Sequence, residues 1–178
     1  MLEKSYFQVY TGNGKGKTTA AIGLAVRALG AGMSVYIGQF IKGMRYSEIA
    51  TLETLAAALG PDRLVVRQYG RGCFIFRDPE QADIDAAGEG LAEARAALGS
   101  GRYGLVILDE LNVAVKVGVV AEADALALVA ARPQAVELVV TGRYATDAML
   151  ESADLVTEMH EVKHYYKQGV EARDGIER

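Results

Sequence analysis

Nine residues near the amino terminus restrict what this chain can fold into. The run Thr11-Gly12-Asn13-Gly14-Lys15-Gly16-Lys17-Thr18-Thr19 follows a β-branched and aromatic stretch, residues 6–10, and opens a stretch of helical composition, residues 17–31. A glycine-rich turn between a strand and a helix is built to receive an anion. Glycines let the backbone adopt unusual dihedrals and converge its N–H groups. The helix start adds unpaired donors and a partial positive charge. Lys17 places a cation on a phosphate, and the Thr18 hydroxyl suits magnesium. The usual spacing is Gly, four residues, then Gly-Lys-Ser/Thr; here Thr11 holds the first position, so the loop is a variant. Lys15 has two open readings, a phosphate contact or a solvated loop charge.

The rest of the chain alternates apolar runs with helical segments. Strands are expected over 34–41, 64–69, 105–108, 138–141 and 155–162, and helices over 48–59, 79–98, 122–131 and 146–152. Ser47 is placed as an N-cap, and Gly60-Pro61, Gly99 and Pro133 serve as stops. Gly88 and Gly90 weaken the third helix. Continuous apolar strands between helices indicate α/β architecture: one P-loop NTPase-like domain, a mostly parallel sheet with helices on both faces.

Leu105-Val106-Ile107-Leu108 leads directly into Asp109-Glu110. A carboxylate at the carboxyl end of a central parallel strand reaches the rim where ligands gather, and holds magnesium there directly or through water. Glu110 has a second open role, polarising a water. Gln39 and Lys42 end the second strand, and Thr141-Gly142-Arg143 closes a neighbouring one, so all belong to that rim. Phe74 and Phe76 lie in an aromatic stretch after the third strand.

Charge and cysteine content remove other classes. The 178 residues carry a net charge of −4, with no basic field that favours nucleic acid. Cys73 is the sole cysteine, which precludes an internal disulfide and suits a reducing compartment. No signal peptide and no run of about 18 apolar residues is expected, so a cytoplasmic protein away from membranes is expected. His160 and His164 have no third histidine or cysteine beside them for zinc.

Taken in order, these blocks resemble the P-loop ATP:corrinoid adenosyltransferases. The resemblance rests on residues 11–21, on Gln39-Phe40-Ile41-Lys42-Gly43, Leu108-Asp109-Glu110-Leu111 and Thr141-Gly142-Arg143, and on 153–159, 162–164 and Gly175-Ile176-Glu177. The variant loop with Thr11 is itself that family's form. The resemblance implies a RecA-like sheet, a homodimer, and transfer of the 5′-deoxyadenosyl group of ATP to Co(I) of cobalamin or cob(I)yrinic acid a,c-diamide, with tripolyphosphate released. It further implies a reductant such as a flavoprotein. Thr18 and Glu110 match magnesium ligands with Asp109 nearby, and Arg27 matches an arginine that holds the nucleotide. Phe74 and Phe76 align with a Phe-Thr-Trp stretch near the lower corrin face. Longer members carry a helical extension before the first strand, where this chain has about five residues, and the family's Gly-Cys-His after Gly142-Arg143 is here Tyr144-Ala145-Thr146. A conventional P-loop NTPase or kinase and a non-catalytic nucleotide sensor are the alternatives.

Overall fold

The computed structural model describes residues 4–71 and 78–178. Six strands form one sheet: β1 (Phe7–Thr11), β2 (Val35–Phe40), β3 (Leu64–Tyr69), β4 (Leu105–Asp109), β5 (Glu137–Thr141) and β6 (Leu155–Glu158). Their order is β3-β2-β4-β5-β1-β6, and every pair is parallel. Parallel strands need crossovers, and helices supply them: α1 (Lys17–Gly30), α2 (Ser47–Leu59), α3 (Gln81–Gly99), α4 (Leu111–Lys116), α5 (Glu122–Ala130) and α6 (Asp147–Glu151).

The two sheet faces have separate cores. On one, Ala21, Ala25 and Ala28 of α1 recur at helical spacing and pack with Leu52 of α2 against Ile37, Ile107 and Val139. On the other, α3, α4 and α5 cover Phe40, Val106, Leu108 and Val140. β2 and β4 are buried along their whole length, which explains why their sequences run apolar without alternation.

The helix expected over 79–98 is continuous despite its glycines. The Asp83 carboxylate accepts from the Glu80 N–H at 3.0 Å and fixes its start. Gly90 is required by packing: a Cβ there would lie 2.7 Å from Cγ of Tyr69 and 2.9 Å from Cε1 of Phe40. Gly88, by contrast, meets nothing. Gly90→Ala is therefore expected to destabilise by about 1–3 kcal/mol, as overpacked cores do, and Gly88→Ala to be neutral or stabilising; urea denaturation checks the pair.

Three local departures have physical reasons. Ser47 is the first residue of α2, not its cap, and its hydroxyl donates to the Arg178 carbonyl at 2.8 Å. The run 111–116, apolar enough to fit either structure, forms α4. The last strand stops at Glu158, short of 162. Beyond it, Met159 exchanges backbone hydrogen bonds with the glycine-rich loop: its N–H donates to the Thr11 carbonyl at 2.9 Å, and its carbonyl accepts from Gly14 N–H at 2.6 Å.

Because all strands run the same way, one rim collects their carboxyl ends. Register places Gln39 beside Asp109, Tyr10 beside Thr141, and Thr11 beside Glu158.

Candidate active site

The loop between β1 and α1 is held in shape by the chain that follows β6. Gly12 has φ +90°, and a Cβ there would lie 2.5 Å from the Met159 carbonyl oxygen. No other residue fits both the dihedral and the approach. Inside the loop, Lys17 is buried and its ammonium donates to the carbonyls of Gly12 at 2.7 Å and Gly14 at 2.8 Å. Burial pulls its pKa down, Glu110 opposes that, and Arg143 adds to it. A partly desolvated ammonium at a helix start is a strong partner for an anion.

Asp109 is the hub of the rim. It is 1 % exposed, and each carboxylate oxygen accepts two hydrogen bonds. Oδ1 accepts from Thr18 Oγ1 at 2.9 Å and Thr141 Oγ1 at 2.6 Å. Oδ2 accepts from Lys42 Nζ at 2.6 Å and Gln39 Nε2 at 3.2 Å. Gln39 is itself oriented by Gln68, whose Nε2 donates to Gln39 Oε1 at 3.1 Å. The loop hydroxyl of Thr18 and a strand-end carboxylate thus face each other directly, with a cation against both.

Glu110 is distinct from its neighbour. Its φ is +61°, which is strained for a residue with a side chain. The strain is held by its N–H donating to Thr141 Oγ1 at 3.0 Å and its carbonyl accepting from Ala114 N–H at 3.0 Å. Burial first, and Asp109 second, push its carboxyl pKa up; Lys42, Lys17 and Arg143 pull the other way. Folding therefore favours the protonated form. The stability this group contributes is complete below its unfolded value of about 4.5 and is lost as pH rises through the raised folded value. Without nucleotide or metal, Glu110→Gln is expected to melt with the parent in acid and above it at neutral pH. A variant that melts lower across the whole range would contradict this; paired calorimetric scans decide.

The remaining expected site residues divide clearly. Arg143 reaches the Asn13 carbonyl at 3.5 Å. Lys15 is exposed and turns away from the loop interior: its ammonium donates to the Ile176 carbonyl at 2.6 Å and lies 3.6 Å from Glu177. Thr19 is exposed on the first turn of α1. Arg27 is in the last turn of α1, about 15 Å along the axis from Lys17, so the structure does not bring it to the loop. Phe74 and Phe76 lie outside the described residues. His160 and His164 are not paired: His160 is 3.5 Å from Glu158, and His164 Nδ1 accepts from the Tyr166 N–H at 3.1 Å. Thr141 lies on the rim as expected, and Met159 is the contributor that residue-type reasoning missed; it follows β6, which runs in register beside β1.

Residues 3–178 match the profile of the family described as ATP:corrinoid adenosyltransferase BtuR/CobO/CobP. The chain belongs to that family. Among its relatives, a corrinoid adenosyltransferase of Pseudomonas aeruginosa is 41% identical over 175 residues, covering 98% of this chain and 84% of the relative. A corrinoid adenosyltransferase of Escherichia coli is 34% identical, covering 98% of this chain and 86% of the relative. In fold, the chain is similar to a KaiC-like protein of Pyrococcus horikoshii, with a TM-score of 0.57 at 15% identity over 86% of this chain and 72% of the other. That likeness supports the RecA-like reading of the sheet. No helix among the described residues is long and apolar enough to cross a membrane.

Proposed function

We infer that this protein transfers the 5′-deoxyadenosyl group of ATP to the Co(I) centre of a corrinoid and releases tripolyphosphate. The observation that carries the reading is the convergence of Lys17 and the Thr18–Asp109 pair on one rim, in a chain of this family.

Co(I) is the nucleophile, so the chain supplies no general base. The cobalt electron pair forms the bond to the ribose 5′-carbon, the carbon–oxygen bond breaks, and that pair of electrons leaves on the triphosphate. Cobalt passes formally from Co(I) to Co(III). Charge therefore grows on the leaving oxygen, and donors fixed in advance around it lower the barrier. Lys17, the loop N–H groups and the start of α1 are those donors. The loop also fixes the direction from which the 5′-carbon is offered.

Magnesium fits the donor set: a hydroxyl and a carboxylate are hard oxygen ligands, and a cation already rests against both in the form of the Lys42 ammonium. Thr18 and Asp109 would hold it, and the family resemblance assigns Glu110 as a further oxygen donor; an ion bound there would neutralise phosphate charge. The family resemblance, not the rim geometry, assigns Phe74 and Phe76 to the lower corrin face. A reductant such as a flavoprotein, a homodimer and a cytoplasmic setting complete the reading, on the strength of the family resemblance.

The test is anaerobic incubation with ATP, magnesium and a chemically reduced corrinoid. Phosphorus NMR is expected to show tripolyphosphate while the corrin spectrum changes to that of an alkylated cobalt. Orthophosphate release without corrinoid would instead indicate chemistry at the terminal phosphate, and ATP binding with no turnover a sensor.

A further inference from the structure

The side chain of Lys42 rests in the seat assigned above to a divalent cation. Its ammonium donates to Asp109 Oδ2 at 2.6 Å and to Thr18 Oγ1 at 3.3 Å. Thr18 in turn donates to Asp109 Oδ1 at 2.9 Å, which closes a three-membered ring of contacts around one positive charge. The Lys42 side chain is 12% exposed, so water screens this charge little.

The backbone enforces the arrangement. Ile41, immediately before Lys42, has φ +64°. A β-branched residue in that region is a genuine outlier and persists only where its surroundings over-determine it. Here they do. The Ile41 N–H donates to the Tyr69 carbonyl at 3.2 Å, and Gly70 packs so closely that a Cβ on it would lie 2.6 Å from the Ile41 carbonyl carbon. The strained turn brings Lys42 back over the rim. An alternative acceptor waits beside it: Glu48 Oε1 is 3.8 Å from the ammonium.

An ammonium and a divalent ion cannot share Asp109 Oδ2 at such distances, because like charges that close in a poorly screened site repel strongly. A free divalent ion must displace the ammonium and gains only protein oxygens in return. An ion arriving with a triphosphate brings phosphate oxygens as well, and negative charge that receives the displaced ammonium. We propose that Lys42 is a tethered counter-cation that keeps the Thr18–Asp109 seat closed to free divalent ions and yields it to an ion delivered with the nucleotide, so that metal and ATP bind as one event. The inference rests on the assignment of Thr18 and Asp109 as the metal seat.

Manganese titration followed by electron paramagnetic resonance tests it, with and without ATP. The unmodified protein is expected to bind manganese weakly alone and tightly with ATP. Lys42→Met is expected to bind manganese alone about tenfold or more tighter, so that the strengthening by ATP shrinks by the same factor. Lys42→Arg, which keeps the charge, is expected to behave like the parent. Should Lys42→Met not fold, Lys42→Gln carries the same comparison. Nitrogen-15 NMR of the unmodified protein reads the ammonium directly: its signal is expected to stay in place with magnesium alone and to move with magnesium and ATP together. Unchanged manganese affinity in the neutral variants, or a lysine signal indifferent to magnesium and ATP, overturns the proposal while tight manganese–ATP binding still upholds the seat. If manganese binds no better with ATP, and Asp109→Asn alters nothing, the seat itself is wrong and the proposal falls with it.

Discussion

Lys17→Ala is expected to weaken ATP binding by about ten- to a hundred-fold, since hydrogen bonds to a charged group contribute roughly 1.5–3 kcal/mol. The transfer rate is expected to fall further, by about 10²–10³, because the same ammonium opposes the charge that grows on the leaving triphosphate. Stability should move little or in the opposite direction. Burial pulls the Lys17 pKa down, so folding already works against the charged form, and only the carbonyls of Gly12 and Gly14 lose a donor. Calorimetric ATP titration and a thermal melt of the same sample separate the two effects. A variant that keeps parental ATP affinity would mean that the loop does not grip phosphate.

Asp109→Ala is expected to show the reverse balance, damaging fold and site together. Four donors converge on this carboxylate, from Thr18, Thr141, Lys42 and Gln39. Removing it leaves the Lys42 ammonium without its closest partner. Breaking a buried pair by deleting one member typically costs about 3–5 kcal/mol, against a total domain stability of about 5–15 kcal/mol. Urea denaturation is expected to register a loss of that size. Asp109→Asn keeps the shape and one acceptor oxygen, so it should retain most of the stability and lose the dependence of ATP binding on magnesium. If Asp109→Ala unfolds at the parental urea concentration, the hub described above carries no energy.

The loop was legible because its signal is local: glycines, Lys17 and Thr18 occupy consecutive positions between a strand and a helix. The rim was legible for a different reason. In a parallel sheet every strand ends on the same side, so Gln39, Asp109 and Thr141 had to share one rim; the β2-β4-β5 order is what brings them into contact. The order itself was not readable, since crossovers leave no local trace. The division of labour between Asp109 and Glu110 also needed the structure. Asp109 ends β4 in register with Gln39, whereas Glu110 turns through a positive φ and faces a different set of charges. Helix length decided Arg27: α1 is 14 residues long and takes it to the far end of the sheet. Lys15 is an exposed loop charge, and its partners Ile176 and Glu177 were not readable because they lie in a terminal segment with no periodic pattern. Gly90 misled for another reason, since close packing against Tyr69 and Phe40 overrides helix propensity.

The central claim is that the rim holds the triphosphate as a leaving group while the adenosyl end is handed to cobalt. ATP labelled with oxygen-18 in the bridge between the 5′-carbon and the α-phosphorus reports which bond breaks. The account predicts that all of the label leaves in tripolyphosphate, identified by mass spectrometry, and that none remains on an adenosine product. Label retained on adenosine would place the break at phosphorus and contradict it.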